Sequence, residues 1–242
     1  MSPGRVSLNV DLGERGVDHP VDLALLDHAD LVNVACGGHA GSAASARSWA
    51  GRAAARGVGV TAHLSYPDPV GFGRRPMRLP PPELADALSR QRDRLPGVDA
   101  VKLHGALYHA ADADEGVAAF LTGWLRGAGF RRVLTPGSGA LAASAAAAGL
   151  AVVPEAFADR RYTRASGSGR PVLLGRGHAG AVLGPAEAEA QARRLLRRGQ
   201  VLLHPDAEPA AVAAGTLCVH GDHPDAAETA ARVAGVLREP PA

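Results

Sequence analysis

Short apolar runs of four or five residues recur along the chain, separated by longer alanine-rich stretches whose apolar positions fall three and four apart. A run of that length fits a strand buried on both faces, and the longer spacing fits the apolar stripe of a helix. Strands are therefore expected at 6–10, 31–35, 59–62, 100–103, 132–135, 151–154 and 216–219. Helices are expected at 43–56, 82–94, 113–127, 139–148, 185–198 and 224–237. Ser42, Asp112, Ser138 and Asp222 stand close to helix starts, where a short polar side chain caps free amides. The alternation predicts an α/β fold with a parallel sheet. Seven such units without a domain-sized linker predict a single domain over 1–242, built as a closed or nearly closed β/α barrel. A Rossmann sheet fits less well, because no G-x-G-x-x-G turn follows the first strand. Residues 67–82 and 159–179 break the pattern and are expected to be loops covering a site.

Polar residues have a pattern of their own: they gather where each apolar run stops. The first run ends in Asn9, Asp11 and Glu14, the second in Asn33 and His39, and the third in His63 and Tyr66. The fourth ends in Lys102, His104 and Tyr108, the sixth in Glu155 and Asp159, and the last in His220 and Asp222. In a parallel barrel these ends share one face, where active sites assemble. Asp11, His39, His63 and His104 are the candidate catalytic residues. The candidate substrate-binding residues are Asn9, Glu14, Asn33, Tyr66, Arg74, Lys102, Tyr108, Glu155, Asp159, His220 and Asp222. Histidine beside carboxylate offers proton transfer near neutral pH or ligation of a divalent metal, and the residues alone leave both open.

Lys102, ending an apolar strand, needs either an anionic substrate group or an ion pair with Asp11 or Glu14. Arg74 and Arg75 sit in a glycine-flexed loop where a guanidinium can clamp carboxylate or phosphate. Some of Glu155, Asp159, Arg160 and Tyr162 are expected to hold the long loop in place. The glycines between Cys36 and Gly41 could present amides to a phosphate. There is no G-x-x-x-x-G-K-[ST] phosphate loop and no G-x-S-x-G nucleophile elbow.

Composition narrows the setting. With 46% hydrophobic and 21% charged residues the balance is globular, and no window is apolar enough to span a membrane. A soluble, cytoplasmic protein is expected, since the start at Met1 lacks the pattern of a secretory signal. A net charge of +2 with scattered arginines gives no footprint for nucleic acid. Cys36 and Cys218 are expected to be reduced and buried as small hydrophobes.

The ordered blocks N-x-D-L-G-E, N-x-A-C-G-x-H-A-G, A-H-x-S-Y-P-D, G-F-G-R-R, K-x-H-G-A-L-Y, E-x-F-A-D-R-x-Y and T-L-C-V-H-G-D closely resemble the LamB/YcsF family, from about Val6 to Leu237. The resemblance implies the seven-stranded barrel of the glycoside hydrolase/deacetylase type. It also implies the role of the A subunit of bacterial 5-oxoprolinase, which opens the lactam of 5-oxo-L-proline to L-glutamate. ATP would be the co-substrate and subunits B and C the partners, and a homo-oligomer is compatible with that role. Two alternatives use the same residues. One is a metal-dependent deacetylase or amidohydrolase, as the barrel class implies, with Asp11, His39 and His63 around a divalent ion. The other is a non-catalytic subunit delivering a small acid to partners. This chain departs from the family pattern with Gly38 for phenylalanine, Ser42 for aspartate, Leu64 and Leu103 for prolines, and His109 and His223 for asparagines. The stretch after Glu14 is also short.

Overall fold

The computed structural model describes residues 5–240; the other residues of the expected 1–242 domain, Met1 included, lie outside the described residues. In chain order the elements are β1 (Ser7–Leu12), α1 (Pro20–Leu26), β2 (Leu31–Ala35), α2 (Ala43–Ala54), β3 (Gly59–Leu64), α3 (Pro81–Arg92) and β4 (Ala100–Leu103). There follow α4 (Gly105–Ala113), α5 (Glu115–Gly127), β5 (Arg132–Thr135), α6 (Ala140–Ala147), β6 (Ala151–Phe157), β7 (Tyr162–Arg164) and β8 (Pro171–Leu173). The chain ends with α7 (Pro185–Arg198), β9 (Gln200–Leu203), β10 (Glu208–Ala211), β11 (Thr216–Val219) and α8 (Ala226–Arg238).

Seven parallel strands close into the expected barrel in the order β1-β11-β6-β5-β4-β3-β2. Every residue of β1, β2, β4 and β11 is buried, most of the apolar ones facing the helices and Asn9, Asp11, Asn33, Lys102 and Thr216 facing inward. Outside, leucines and alanines of the helices pack on the sheet around the fully buried Trp49. Inside, the barrel is polar. Asn33 Nδ2 donates to Asn9 Oδ1 at 2.7 Å and to Asp11 Oδ1 at 2.8 Å, and Asn9 Nδ2 donates to Thr216 Oγ1 at 3.0 Å.

Four points differ from the sequence reading. Helices α1 and α4 were not expected: α1 is one short stretch, and the apolar residues of α4 directly follow the polar end of β4. A second sheet, ordered β10-β9-β7-β8, stands beside the barrel and takes part of the expected loop 159–179. Its strands are three or four residues long, too short for alternation to show in the sequence. The caps also move. Ser42 does cap α2, accepting from Ser45 N at 3.1 Å. Asp112 lies inside α4 and pairs with Arg170, and Asp114 caps α5 by accepting from Val117 N. Gly139, not Ser138, precedes α6, and Asp225, not Asp222, precedes α8.

The other expected loop, 67–82, ends at position 80 where α3 begins; up to there it has no regular element but is stitched down. Arg75 pairs with Asp68, and Gly73 O accepts from Ala106 N at 2.9 Å. That contact needs two glycines. Gly73 and Gly105 both have left-handed φ, +65° and +57°, and a Cβ on Gly105 would lie 2.4 Å from Gly73 O. Among the described residues no helix is long and apolar enough to cross a membrane.

Candidate active site

At the C-terminal end of the barrel lies a cavity of about 510 Å³. Its floor is set by strand register, which pairs Ala35 with His63 and His63 with Lys102 and so brings the ends of β2, β3 and β4 together. Asp11, His63, Lys102 and His104 all border it from below. Lys102 Nζ lies 3.0 Å from Asp11 Oδ1, from Glu155 Oε1 and from Cys218 Sγ. Nζ donates to Asp11 Oδ1, to Cys218 Sγ and, at 3.2 Å, to Asn9 Oδ1, which uses the three hydrogens of an ammonium and leaves none to hold a substrate anion, while Glu155 is a close counter-charge. The expected pair with Asp11 is present, the one with Glu14 is not, and Glu155 takes its place. Burial opposes charge on Asp11, yet His63 and Lys102 outweigh it and hold the carboxyl well below its usual range. Burial likewise opposes the Lys102 ammonium, and Asp11, Cys218 and Glu155 hold its pKa above the usual value. Both cysteines are free and buried as expected, and Cys218, part of the apolar core, also accepts from Lys102 through its sulfur.

Beside this network stands a tight histidine cluster. The rings of His39 and His104 stack at 3.7 Å and 5°, with His63 edge-on to both. Phe72, from the G-F-G loop, closes the cluster from outside. Glu14 Oε1 accepts from His39 Nε2 at 3.0 Å. Glu14 is held there because Gly13 N donates to the buried Asp22 of α1, which also pairs with Arg15. Burial and the neighbouring imidazoles push His104 well below its usual pKa, and burial lowers His39. Four ligand-capable atoms, one each from Glu14, His39, His63 and His104, lie within 4.8 Å of one another. Asp11, expected beside His39 and His63 as a ligand, instead groups with Cys218 and His220.

On the far wall His220 Nδ1 donates to the buried Asp159, 3.0 Å from Oδ2, and His220 N donates to the same oxygen at 2.8 Å. His220 outweighs the cost of burial and keeps the Asp159 carboxyl low, so the imidazole is fixed with Nδ1 as its N–H. Its ring stacks on Phe157 at 5.3 Å. The rim is cationic: Arg74 and Arg176 share Asp222, the latter at 2.7 Å. Arg160 is a strut, donating to the backbone oxygens of Leu174 and Ala181, and burial brings its pKa down to about 10.

The remaining expected residues are placed differently. Asn9 and Asn33 lie beneath Asp11 and do not border the cavity. Tyr66 is buried away from it. Tyr108 borders it and donates to Glu155 Oε2 at 2.9 Å, which with Phe157 and Leu173 separates it from a neighbouring cavity of about 370 Å³. Glu155 borders only that second cavity. Arg75 turns to Asp68 rather than inward. In the glycine loop 36–41, Gly37 N is spent on Ala40 O. Gly38 packs so closely on Gln91 that a Cβ would lie 2.3 Å from Gln91 Oε1. Gln91, bonded to both Ser65 N and Ser65 O, thus occupies the space into which the family's usual phenylalanine would project. Arg176 and His109 also border the cavity and were missed. Arg176 sits in a glycine-rich turn without any distinguishing neighbour, whereas His109 could have been found one residue beyond Tyr108.

The LamB/YcsF family model matches residues 6–240. The 5-oxoprolinase A subunit of Streptomyces coelicolor is 44% identical over 247 residues, covering 96% of this chain and 95% of that protein. The 5-oxoprolinase A subunit of Nocardia farcinica is 39% identical, covering 96% and 95%. Among solved structures, the lactam utilization protein from Thermus thermophilus superimposes with a TM-score of 0.82 at 34% identity, covering 96% of each chain. With the family model matched over residues 6–240 and relatives similar over nearly the whole length, the chain belongs to the LamB/YcsF family.

Proposed function

We propose that this chain is the A subunit of an ATP-dependent 5-oxoprolinase, opening the lactam of 5-oxo-L-proline to L-glutamate together with subunits B and C. The names of its relatives, the A subunit of 5-oxoprolinase and a lactam utilization protein, support the substrate class. The observation that carries the reading is a single cavity with guanidiniums at its rim and acid–base side chains at its floor. A lactam acid needs both: a cation for its carboxylate, and proton transfer at its amide.

Ring opening adds the oxygen of one water to the amide carbon, breaks the C–N bond and puts a proton on the departing nitrogen. Arg74 and Arg176 hold the substrate carboxylate, since their shared partner Asp222 leaves other N–H groups of both forks available. Asp11, held low and tied through Oδ1 to Asn33 and Lys102, is a weak base. It orients the water through Oδ2 rather than deprotonating it. Proton transfer falls to His220, whose Nδ1–H is fixed on Asp159 while its other nitrogen serves the cavity. The lactam carbonyl is a poor electrophile, and ATP-driven phosphorylation of its oxygen makes attack by the first water feasible; expulsion of the ring nitrogen then leaves an acyl phosphate, and a second water releases phosphate and glutamate.

The test is reconstitution with the B and C subunits, following glutamate release from 5-oxoproline. Release should require ATP and this chain. Full turnover without the chain removes the proposal. Should Asp11→Asn and His220→Ala both leave turnover intact while rim variants abolish 5-oxoproline binding, the chain is a delivery subunit. The histidine cluster favours a second reading, a metal-dependent deacetylase or amidohydrolase, which ATP-independent cleavage of acetylated amides by the isolated chain would support.

A further inference from the structure

The geometry points to a binding site for a zinc-class divalent ion formed by Glu14, His39, His63 and His104 beside the cavity floor. This site does not depend on which amide the cavity takes.

Hydrogen bonding around the imidazoles leads to it. His63 Nδ1 lies 3.2 Å from Lys102 O, and His104 Nε2 lies 3.0 Å from Phe72 O. A carbonyl oxygen only accepts, so each of these nitrogens is the one that carries its ring's hydrogen. The other two nitrogens, His63 Nε2 and His104 Nδ1, are then both lone-pair atoms in the neutral rings. They face each other at 3.0 Å. Two lone pairs cannot bond to each other, so a cation lies between them: either a proton, which makes His63 an imidazolium, or a metal ion that also draws in Glu14 and His39, whose ligand atoms converge on the same point. Anchoring the remote N–H of an imidazole on a backbone carbonyl is also how metal-binding histidines have their tautomer and ring direction set.

Distances and charge agree. Glu14 Oε1 lies 3.0 Å from His39 Nε2, 3.7 Å from His104 Nδ1 and 4.0 Å from His63 Nε2. With the 3.0 Å between His63 and His104, these separations bracket the roughly 3.3–3.4 Å edge of a tetrahedron with zinc–nitrogen bonds of about 2.0–2.1 Å. Glu14, Asp11 and Glu155 bring three buried carboxyl groups to the floor, and Lys102 is the one lysine among them. A divalent ion balances that surplus. Three imidazoles and one carboxylate suit zinc and its neighbours in the transition series, whereas magnesium and calcium prefer all-oxygen sets. His39 Nδ1 is the only remote ring nitrogen of the three without a partner. Asp11 stands outside the four converging ligand atoms, with Oδ1 serving Asn33 and Lys102 and Oδ2 3.5 Å from His63 Nε2.

The experiment strips the full chain with dipicolinate and titrates it with Zn²⁺ and, separately, Co²⁺, without substrate. One ion per chain by elemental analysis, a raised unfolding midpoint and the intense visible bands of four-coordinate Co²⁺ are expected. Glu14→Gln and His104→Ala should each weaken binding by more than ~100-fold, and Asp11→Asn should keep one ion. Circular dichroism checks that each variant is folded. Should a variant fail to fold, stoichiometry and the Co²⁺ spectrum of the unaltered chain decide alone. A folded, unaltered chain that binds neither ion at micromolar concentration overturns the site, as does loss of the ion in Asp11→Asn with retention in Glu14→Gln and His104→Ala. Neither readout uses turnover, so failure of the lactam assay leaves this test standing.

Discussion

The floor and the rim of the cavity are built from the same kinds of contact, carboxylates against lysine or arginine, yet they sit in different solvents. At the floor the side chains of Lys102, Asp11 and Glu155 are each 3% exposed or less. At the rim those of Arg74, Arg176 and Asp222 are 42%, 28% and 23% exposed. Water screens the rim pairs and competes for their hydrogen bonds, so they add little to stability and remain free to change partner. The buried trio has no such alternative. Breaking it strands charges where nothing can solvate them, although the intact trio need not stabilise the fold more than apolar residues would. Structure is thus committed at the floor, and ligand exchange is left to the rim.

The largest effect should come from Lys102→Met, which leaves Asp11 and Glu155 without their counter-charge. Urea unfolding should show a loss of about 3–5 kcal/mol. A loss below about 1 kcal/mol would erase the distinction between floor and rim. Next is Asp159→Asn, between the two regions. Without the carboxylate His220 is no longer held in one tautomer, and kcat for glutamate release should fall on the order of 10²-fold with KM nearly unchanged. Asp159→Glu should recover part of it. A raised KM with kcat unchanged would instead place Asp159 in substrate binding.

Arg74→Ala and Arg176→Ala probe the rim itself. Each should move stability by less than about 1 kcal/mol and raise KM for 5-oxoproline roughly tenfold. Unfolding on either substitution would show that the rim is structural after all. The smallest effect concerns the loop 67–80 outside the rim. The Arg75 guanidinium holds Asp68 down at about 2. A lowered carboxylate favours the folded form above its unfolded pKa of about 3.9, and that contribution is lost as pH falls through the folded value. Hydrogen exchange in the loop should therefore be steady above pH 4 and, after correction for intrinsic rates, quicken towards pH 2. Asp68→Asn should remove the pH dependence.

The barrel was legible because parallel strands covered on both faces leave short, largely apolar runs, and the ends of those runs mark where side chains turn towards a site. Asp11, His63, His104 and His220 stand where that logic places them. What it could not give is pairing between distant positions. Lys102 invites a counter-charge, but nothing local selects Glu155 rather than Glu14, since the choice depends on how β6 and β11 are brought round to β1. The same limit hid Arg170 with Asp112 and Arg176 with Asp222. Short strands failed for another reason: β7 and β8, at three residues each, form by pairing with one another across a turn and, for β7, with the distant β9. Family departures were readable as letters but not as consequences. The glycine at position 38 becomes intelligible only with Gln91 packed against it.

Barrel closure also sets the order in which the molecule can be completed during synthesis. The first strand pairs with the last, Ser7 beside Thr216 and Val10 beside Val219. A nascent chain emerging from the ribosome can assemble six strands, but it keeps two unpaired sheet edges until residues 216–219 are free, and such edges invite pairing between chains. His220 follows immediately, so the segment that removes the aggregation hazard is also the one that delivers the imidazole to the cavity. A chain cut short before position 216 would lack both the strand that closes the barrel and the His220 imidazole that borders the cavity.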